Sequence, residues 1–213
     1  MTREFWLERW RDNRLGWHKS EVNQNLTNHV VALTGGVART VLVPLCGKTV
    51  DLAWLAAAGH RAIGIELAES AATQFFTEHS IDAHASQTAG GLKRFAGGGV
   101  EIICADFFDV TRADLPTIDC VWDRAALVAL APDVRDRYCA ALQAFAPGPI
   151  LLNSFSYDPR KMDGPPYSVT EDEVRRHFAK RNIDILASND VIDSVAFKDR
   201  GLESFWSSLY LID

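Results

Sequence analysis

The sequence predicts an α/β fold with a doubly wound, mostly parallel sheet of seven strands and an antiparallel edge strand. Short apolar segments alternate with helical segments along the chain, which is typical of a parallel sheet covered on both faces. The last two strand-like segments follow one another without a helix, as an antiparallel edge pair does. We expect a single domain over residues 1–213, with an N-terminal helical lid over residues 1–35 and an α/β core over residues 36–213.

Seven segments are predicted to be strands because each is short, apolar and bounded by turn residues or helices. They are residues 40–45, 62–66, 100–105, 119–123, 150–156, 183–191 and 205–212. A further segment, residues 86–99, contains two glycine clusters and is predicted to be a loop or a hairpin.

Six segments are predicted to be helices, and several carry start or stop signals. Gly35 follows the second helix at the position where a left-handed residue commonly ends a helix. Pro132 precedes the fifth helix, and Thr170 with Glu173 matches a capping box before the sixth. The predicted helices are residues 5–14, 22–33, 48–58, 70–79, 133–146 and a segment that ends at Lys180.

The composition is that of a mildly acidic protein with ample apolar surface. Hydrophobic residues make up 47% of the chain, and the formal net charge is −6. These values exclude disorder as the main state and argue against a nucleic-acid partner. No apolar stretch approaches the roughly 20 residues that cross a bilayer, and the charged start of the chain lacks a signal-peptide core. We therefore expect a cytoplasmic protein with neither a membrane nor a nucleic-acid partner.

The four cysteines show neither C-x-x-C spacing nor a histidine partner at zinc-finger distance. A structural zinc site is therefore not expected, and no other metal site is predicted. Cys46, Cys104 and Cys120 lie in or beside apolar segments, which suits reduced thiols in a core.

Ligands of doubly wound sheets bind beyond the carboxyl ends of the central strands, so the residues after each strand carry the functional information. The first such loop, Pro44–Lys48, contains only Gly47 and lacks both the G-x-G-x-x-G and the Walker A pattern. This argues against a dinucleotide site. Glu66 ends the second strand, 21 positions beyond Leu45, where an acid commonly binds ribose hydroxyls. The alternative is an acid that caps the next helix.

Three further strand ends carry candidate residues. Asp106 and Phe107 suit a hydrogen bond to an adenine amino group and stacking on its ring, or else a turn residue and a core residue. Arg124 can direct a positive charge into the crevice with Asp123 orienting it, or the two can form a structural ion pair. The stiff aromatic loop at residues 157–167 either walls a pocket for a flat substrate or is a rigid surface turn.

Other catalytic patterns are missing from the sequence. There is no G-x-S-x-G nucleophile elbow and no H-E-x-x-H zinc motif. His18 lies next to Trp17, a setting more typical of a packing residue than of a catalyst. Hydrolysis by a triad or by a metal therefore has no support.

Five segments together resemble the thiopurine S-methyltransferase family, almost from end to end. They are Phe5-Trp6 through Trp17-His18, Val43-Pro-Leu-Cys-Gly-Lys48, Ile63-Gly-Ile-Glu66, Val121-Trp-Asp-Arg-Ala-Ala-Leu127, and Tyr157-Asp-Pro with Gly164-Pro-Pro-Tyr167. The resemblance implies the class I, Rossmann-like methyltransferase fold and S-adenosylmethionine as cofactor. It also implies methyl transfer to the sulfur of thiopurines or aromatic thiols, with selenium or tellurium species as further acceptors. The chain lacks the longer N-terminal extension of animal members and resembles a short bacterial-type form.

The resemblance also assigns roles by position. Arg124 matches an arginine near the cofactor's carboxylate and the acceptor, and no general base is assigned. Trp17 lies where the family has an acceptor-side aromatic residue, and Arg200 corresponds to a substrate-side arginine. The positions that match cofactor contacts are Trp10, Leu45, Glu66, Asp106, Phe107 and Arg124.

Methyl transfer to sulfur needs positioning and exclusion of water more than acid–base catalysis. The tryptophans near the N-terminus are candidates to cover a sulfonium cofactor, because aromatic faces attract cations. We expect a monomer that takes a small-molecule acceptor. A nicotinamide-dependent oxidoreductase is the first alternative, and the lone Gly47 argues against it. A non-catalytic cofactor-binding protein is the second, and the presence of Glu66 and Arg124 argues against that one.

Overall fold

In this computed structural model, the apolar segments of the chain form a nine-stranded sheet flanked by helices. The structure describes residues 2–195 and 197–213. The strands are β1 (Thr40–Pro44), β2 (Arg61–Glu66), β3 (His84–Gln87), β4 (Lys93–Gly97), β5 (Val100–Cys104), β6 (Cys120–Arg124), β7 (Ile150–Ser156), β8 (Ile183–Asp190) and β9 (Trp206–Ile212). The helices are α1 (Arg3–Arg11), α2 (Gln24–Thr34), α3 (Asp51–Ala57), α4 (Glu69–Glu78), α5 (Pro132–Phe145) and α6 (Glu171–His177).

The strand order is β3-β4-β5-β2-β1-β6-β7-β9-β8. The five central strands, from β5 to β7, are parallel to one another, while β4 and β9 run antiparallel to their central neighbours. The chain fills one half of the sheet outward from β1 and then returns to β6, so the order reverses between these two strands. A doubly wound sheet opens its ligand crevice at this reversal. The predicted fold class is confirmed.

The strand count is nine rather than the predicted seven. The two additional strands, β3 and β4, form an antiparallel hairpin that continues the sheet beyond β5. Most of this hairpin lies within residues 86–99, which the sequence predicts to be a loop or a hairpin. β3 was missed because its sequence, His84-Ala-Ser-Gln87, is mostly exposed and has no apolar run for periodicity to detect.

Each face of the sheet has its own apolar core, and β1 shows why. Leu42 packs on one side with residues of α5 and α6, whereas Val41 and Val43 pack on the other side with α2, α3 and α4. Successive strand residues point to opposite faces, so a strand buried on both faces is apolar throughout. This is why the central strands were recognisable as short continuous apolar runs.

Helix α2 belongs to the sheet-covering layer. Its Leu26 and Leu33 are buried in the same apolar cluster as Trp122 and Leu151 of the sheet. The expected lid over residues 1–35 is therefore too long, because α2 is held by sheet packing. A covering role is left to α1 and the loop that follows it, up to Asn23, the residue that caps α2.

The signals at Gly35 and Thr170 are confirmed, whereas the Glu173 side chain binds Arg135 and does not complete the predicted capping box. Gly35 ends α2 in the left-handed region with φ of 68°. The Thr170 hydroxyl caps α6 by accepting a hydrogen bond from the Glu173 N–H at 3.3 Å. All four cysteines are free thiols. Within residues 2–195 and 197–213, no helix has the length and apolarity to cross a membrane.

Candidate active site

Four predicted site residues lie at the ends of neighbouring strands along one edge of the sheet. Asp106 follows β5, Glu66 ends β2, Leu45 follows β1, and Arg124 ends β6. Neighbouring strands are about 4.8 Å apart, so the backbones of Glu66 and Arg124, two strands apart, are separated by about 10 Å along this edge. The edge therefore presents, in order, a carboxylate, a second carboxylate, a backbone turn and a cation.

Glu66 is held in place by the backbone around it. Its side chain lies in a residue that is 6% exposed, and its two oxygens accept hydrogen bonds from the N–H groups of Gly47 at 2.8 Å and Ala68 at 2.7 Å. Burial raises the pKa of this carboxyl, and the two N–H groups counteract part of that rise. A carboxylate offers about four acceptor sites, so it retains capacity for ligand hydroxyls.

The backbone turns sharply at two of these strand ends. Leu45 and Ala125 both have positive φ, 47° and 68° respectively, although neither is glycine. A left-handed conformation costs a residue with a Cβ roughly 1–2 kcal/mol. Such strain often marks functional sites, and here both turns border the crevice.

The turn at Ala125 gives a stability prediction. Ala125→Gly is expected to raise the free energy of unfolding by about 0.5–1 kcal/mol, because relief of left-handed strain exceeds the entropy that glycine adds to the unfolded chain. The neighbouring Ala126 has φ of −76°, so Ala126→Gly is the matched control and should destabilise the protein. Urea unfolding of both variants measures the difference. Destabilisation by both substitutions would contradict the assignment of strain.

Asp106 joins the strand edge to the N-terminal helix. Its Oδ1 accepts from the Phe108 N–H at 3.0 Å and caps a short 3-10 turn, while its Oδ2 lies 3.5 Å from Nε of Arg3. Arg3 also reaches Asp109 at 3.1 Å. The ring of Phe107 is 4% exposed and packs 4.8 Å, between centroids, from Tyr138. This placement in the core argues against the predicted stacking of the Phe107 ring on adenine.

Asp123 neither orients Arg124 nor forms an ion pair with it, so both predictions for this residue are wrong. Neighbouring residues on a strand point to opposite faces. The Asp123 carboxyl instead accepts the Tyr138 hydroxyl at 2.7 Å and the N–H groups of Ala126 and Leu127 at 3.2 Å. Complete burial raises the pKa of Asp123 to about 6, against these hydrogen bonds. Its role is to fix the turn that follows Arg124.

Arg124 is partly buried and lies beside the N-terminal segment. Its Nη1 donates a long hydrogen bond, 3.5 Å, to the backbone oxygen of Trp17. Burial lowers the pKa of Arg124, and the nearby carboxylate of Asp51 counteracts this. The guanidinium has five N–H donors, so most of them remain available for an anionic ligand.

A cleft of about 230 Å³ opens beside Arg124. Residues 19–24 form one wall, and Thr49 and Asp51 form another. Asp51 is not among the predicted site residues, because the sequence pattern places it inside the predicted helix at residues 48–58. The signal that could have revealed it is a single charge in an otherwise apolar helix, Asp51-Leu-Ala-Trp-Leu-Ala-Ala57.

Tryptophans of the N-terminal segment cover the turn after β1. Trp10 is 6% exposed and packs against Ala68 and Ala71 at the start of α4. A Cβ added at Gly47 would lie 3.3 Å from Cζ2 of Trp10, so glycine is needed for this close approach. The Trp17 ring lies 6.2 Å from that of Trp10 and 5.3 Å from that of Trp6, both edge-on.

The acceptor-side candidates lie farther along the same edge. The Tyr157 hydroxyl donates to the Pro166 oxygen at 2.7 Å, and its ring stacks on Phe205 with centroids 5.4 Å apart. Arg200 is exposed, and its guanidinium lies over the Phe197 ring at 5.4 Å. β9 runs antiparallel to β7, so the loop before β9 lies at the carboxyl edge. Arg200 is thus on the expected edge but is not among the described residues that line the cleft.

Comparison with known protein families identifies the family of this chain. The family model described as thiopurine S-methyltransferase matches residues 1–213. The chain belongs to the thiopurine S-methyltransferase family. It is therefore an enzyme of the S-adenosylmethionine-dependent methyltransferase class, and the nicotinamide and non-catalytic alternatives are not favoured.

Curated relatives agree with this family. The thiopurine S-methyltransferase of Pseudomonas fluorescens is 40% identical over 215 residues, covering 100% of this chain and 99% of the relative. The probable thiopurine S-methyltransferase of Yarrowia lipolytica is 37% identical over 205 residues, covering 95% and 96% of the two chains.

Solved structures share the fold at low sequence identity. The 1,6-didemethyltoxoflavin-N1-methyltransferase of Burkholderia thailandensis, solved with S-adenosylhomocysteine, has a TM-score of 0.62 at 18% identity, covering 99% of this chain and 86% of that one. A magnesium protoporphyrin IX methyltransferase from Synechocystis, solved with S-adenosylmethionine, also has a TM-score of 0.62, at 15% identity, covering 99% and 95% of the chains.

The cofactor of this family member is S-adenosylmethionine. The residues along the edge fit it chemically, because Asp106 and Glu66 offer acceptors for an amino group and for hydroxyls, while Arg124 offers a cation for a carboxylate. Gly47 leaves room between the first turn and the indole of Trp10 that a Cβ would fill.

Proposed function

We propose that this enzyme transfers the methyl group of S-adenosylmethionine to the sulfur of a thiopurine or another aromatic thiol. Selenium and tellurium species are proposed as further acceptors. The observation that carries the proposal is the order of groups along the sheet edge: Asp106, Glu66, the Leu45 turn and Arg124. This order matches that of adenine, ribose, sulfur and amino acid in the cofactor. The names of the relatives described above support the thiopurine class.

Each residue has a distinct part in the proposed cofactor site. Glu66 accepts from the ribose hydroxyls, Asp106 accepts from the adenine amino group, and Arg124 pairs with the carboxylate. The strained turn at Leu45 brings backbone atoms towards the centre of the cofactor. Phe107 contributes through its backbone, because its ring is packed in the core.

Exclusion of water is the task of the N-terminal segment. When bound, S-adenosylmethionine supplies a methyl group activated by the sulfonium charge. Trp10 and Trp17 cover the crevice and favour a cation by roughly 0.5–2 kcal/mol for each aromatic contact. Trp17 also forms part of the acceptor side, where its large ring restricts the acceptor to flat molecules.

No general base is needed in this proposal. An aromatic thiol that ionises near neutral pH enters as a thiolate, so the enzyme has only to stabilise and orient an anion. Arg124 at the cleft and Arg200 at the outer edge supply positive charge for this purpose. The stiff loop at residues 157–167, fixed by Tyr157, forms the proposed acceptor wall.

Product analysis tests the function. The enzyme is incubated with S-adenosylmethionine and 6-mercaptopurine, thiophenol or hydrogen selenide, and S-methyl products or volatile methyl selenides are detected by mass spectrometry. We expect S-methyl-6-mercaptopurine from the wild type and none from Arg124→Met. If S-adenosylhomocysteine binds but no thiol or selenium acceptor is methylated, the proposed function is wrong.

Substitution of Glu66 tests the ribose contact. Glu66→Ala is expected to weaken S-adenosylhomocysteine binding by roughly 1.5–3 kcal/mol, the value of a hydrogen bond to a charged group. Glu66→Gln retains one acceptor and should lose less. Calorimetry measures both variants. Unchanged affinity in Glu66→Ala would count against the ribose role.

We also propose a single-domain, monomeric, cytoplasmic enzyme whose lid comprises residues 2–23. The four free thiols suit a reducing compartment. Size-exclusion chromatography with light scattering tests the monomer, and a mass of two chains would contradict it.

A further inference from the structure

Four charged residues line the cleft beside Arg124: Lys19 and Glu21 are exposed, whereas Asp51 and Arg124 are withdrawn from bulk water and do not pair with each other. Asp51 is 1% exposed and Arg124 is partly buried, and both line the cleft. In the part of the chain that the structure describes, the two side chains bind backbone or indole groups, with no ion pair between them. A charge held out of bulk water without an ionic partner favours a ligand of opposite charge.

Both oxygens of Asp51 are fixed in position but not saturated. Oδ1 accepts from the Asn23 N–H at 2.9 Å, and Oδ2 accepts from Nε1 of Trp122 at 2.8 Å. Because a carboxylate has about four acceptor sites, roughly half of its capacity remains for donors in the cleft. Asp51 is thus a preorganised acceptor held by α2 on one side and by the sheet on the other.

We propose that Asp51 binds the α-ammonium group of the cofactor's amino acid, with Arg124 binding the α-carboxylate. The cleft volume of about 230 Å³ is several times the roughly 30 Å³ of one water molecule, which leaves room for an amino acid head group. An anion and a cation lining one cleft match the two charges of a zwitterion. The inference rests on the proposed placement of Arg124 at the carboxylate end, and it is independent of the methyl acceptor.

A panel of four ligands isolates this contact. S-Adenosylhomocysteine carries both charged groups, its desamino analogue carries only the carboxylate, and its decarboxylated analogue carries only the ammonium. 5′-Methylthioadenosine carries neither. Calorimetry with the full chain gives the dissociation constant for each ligand, without any acceptor or turnover.

Asp51→Asn removes the charge of Asp51 at nearly constant size. It is expected to weaken binding of S-adenosylhomocysteine and the decarboxylated analogue about ten- to hundredfold, the value of a charge-assisted hydrogen bond. Binding of the desamino analogue and 5′-methylthioadenosine should change less than about threefold. Arg124→Met should show the complementary pattern and lose affinity for the two ligands that carry a carboxylate.

Two results would overturn the assignment. Equal weakening of all four ligands by Asp51→Asn would show that Asp51 only holds Asn23 and Trp122 in place, and an unchanged affinity for S-adenosylhomocysteine would show no contact. Circular dichroism checks the fold of the variant. If Asp51→Asn does not fold, Asp51→Glu is tested instead, because it keeps the charge but displaces it. The loss of affinity must again be confined to the ligands that carry the ammonium group.

The result of the ligand panel can be distinguished from the result of the methylation assay that tests the proposed function. Failure to methylate any thiol would leave the ligand panel unaffected. A panel in which the ammonium group is irrelevant would equally leave thiol methylation standing.

Discussion

Replacing Arg124 with methionine is expected to weaken S-adenosylhomocysteine binding by about 2–5 kcal/mol, the usual effect of removing one partner from a buried, hydrogen-bonded charge pair. The guanidinium lies at the end of β6, where burial already lowers its pKa, so water screens it little. Without it, the carboxylate of a bound ligand would lose its cationic partner. Methyl transfer at ordinary cofactor concentrations should fall below detection.

Two variants serve as controls for this effect. Arg124→Lys keeps a positive charge but loses the planar fork of the guanidinium, so its affinity should be intermediate. Arg200→Met lies outside the cleft and should leave S-adenosylhomocysteine binding unchanged while weakening acceptor binding. Calorimetry and steady-state kinetics separate the two effects. An Arg124→Met enzyme that binds within about threefold of the wild type would refute the role of Arg124.

A second large effect concerns stability and Asp123. Complete burial raises the pKa of its carboxyl from 3.8 to about 6. Between these two pH values, the folded state holds a proton that the unfolded chain has released. The contribution of Asp123 to the free energy of unfolding therefore falls as pH rises. The two-unit shift corresponds to roughly 3 kcal/mol. Asp123→Asn cannot ionise, and its oxygen and amide can still pair with the Ala126 N–H and the Tyr138 hydroxyl.

The prediction is therefore a difference that varies with pH. From pH 4 to pH 7, the unfolding free energy of Asp123→Asn should rise relative to that of the wild type by about 2.4 kcal/mol. Asp114 provides the opposite control, because hydrogen bonds from Thr88 and Thr111 lower its pKa. As pH rises, the unfolding free energy of the wild type should increase relative to that of Asp114→Asn. Urea titrations at several pH values measure both, and a flat difference for Asp123→Asn would contradict its raised pKa.

The fold was predictable where burial leaves a pattern in the sequence. Central strands such as β1 are apolar on both faces, and α2, which precedes β1, ends at Gly35. The hairpin of β3 and β4 lies at the edge, where β3 is mostly exposed and β4 is partly buried through Phe95. No periodicity of apolar residues records such strands.

The candidate site was predictable where a residue's place follows from its strand. Glu66 and Arg124 end strands, and parallel strands end at one edge. Asp51 escaped notice because its neighbours are distant in sequence: Asn23 is 28 positions away and Trp122 is 71 positions away. Spacing along the chain likewise suggested a pair between Asp123 and its neighbour, whereas strand geometry separates them.

The contiguity of the N-terminal segment has an evolutionary consequence. The polar cofactor contacts proposed here come from the ends of β1, β2 and β6, from the residue after β5 and from Asp51 in α3, so no single stretch of chain carries them. The covering tryptophans, in contrast, all lie in one stretch before α2, which Asp51 anchors at Asn23. Recombination between relatives can therefore exchange this stretch as a cassette without shifting any strand. Such an exchange would alter the acceptor side at Trp17 and the aromatic cover at Trp10, while the polar contacts with the cofactor stay with the strands.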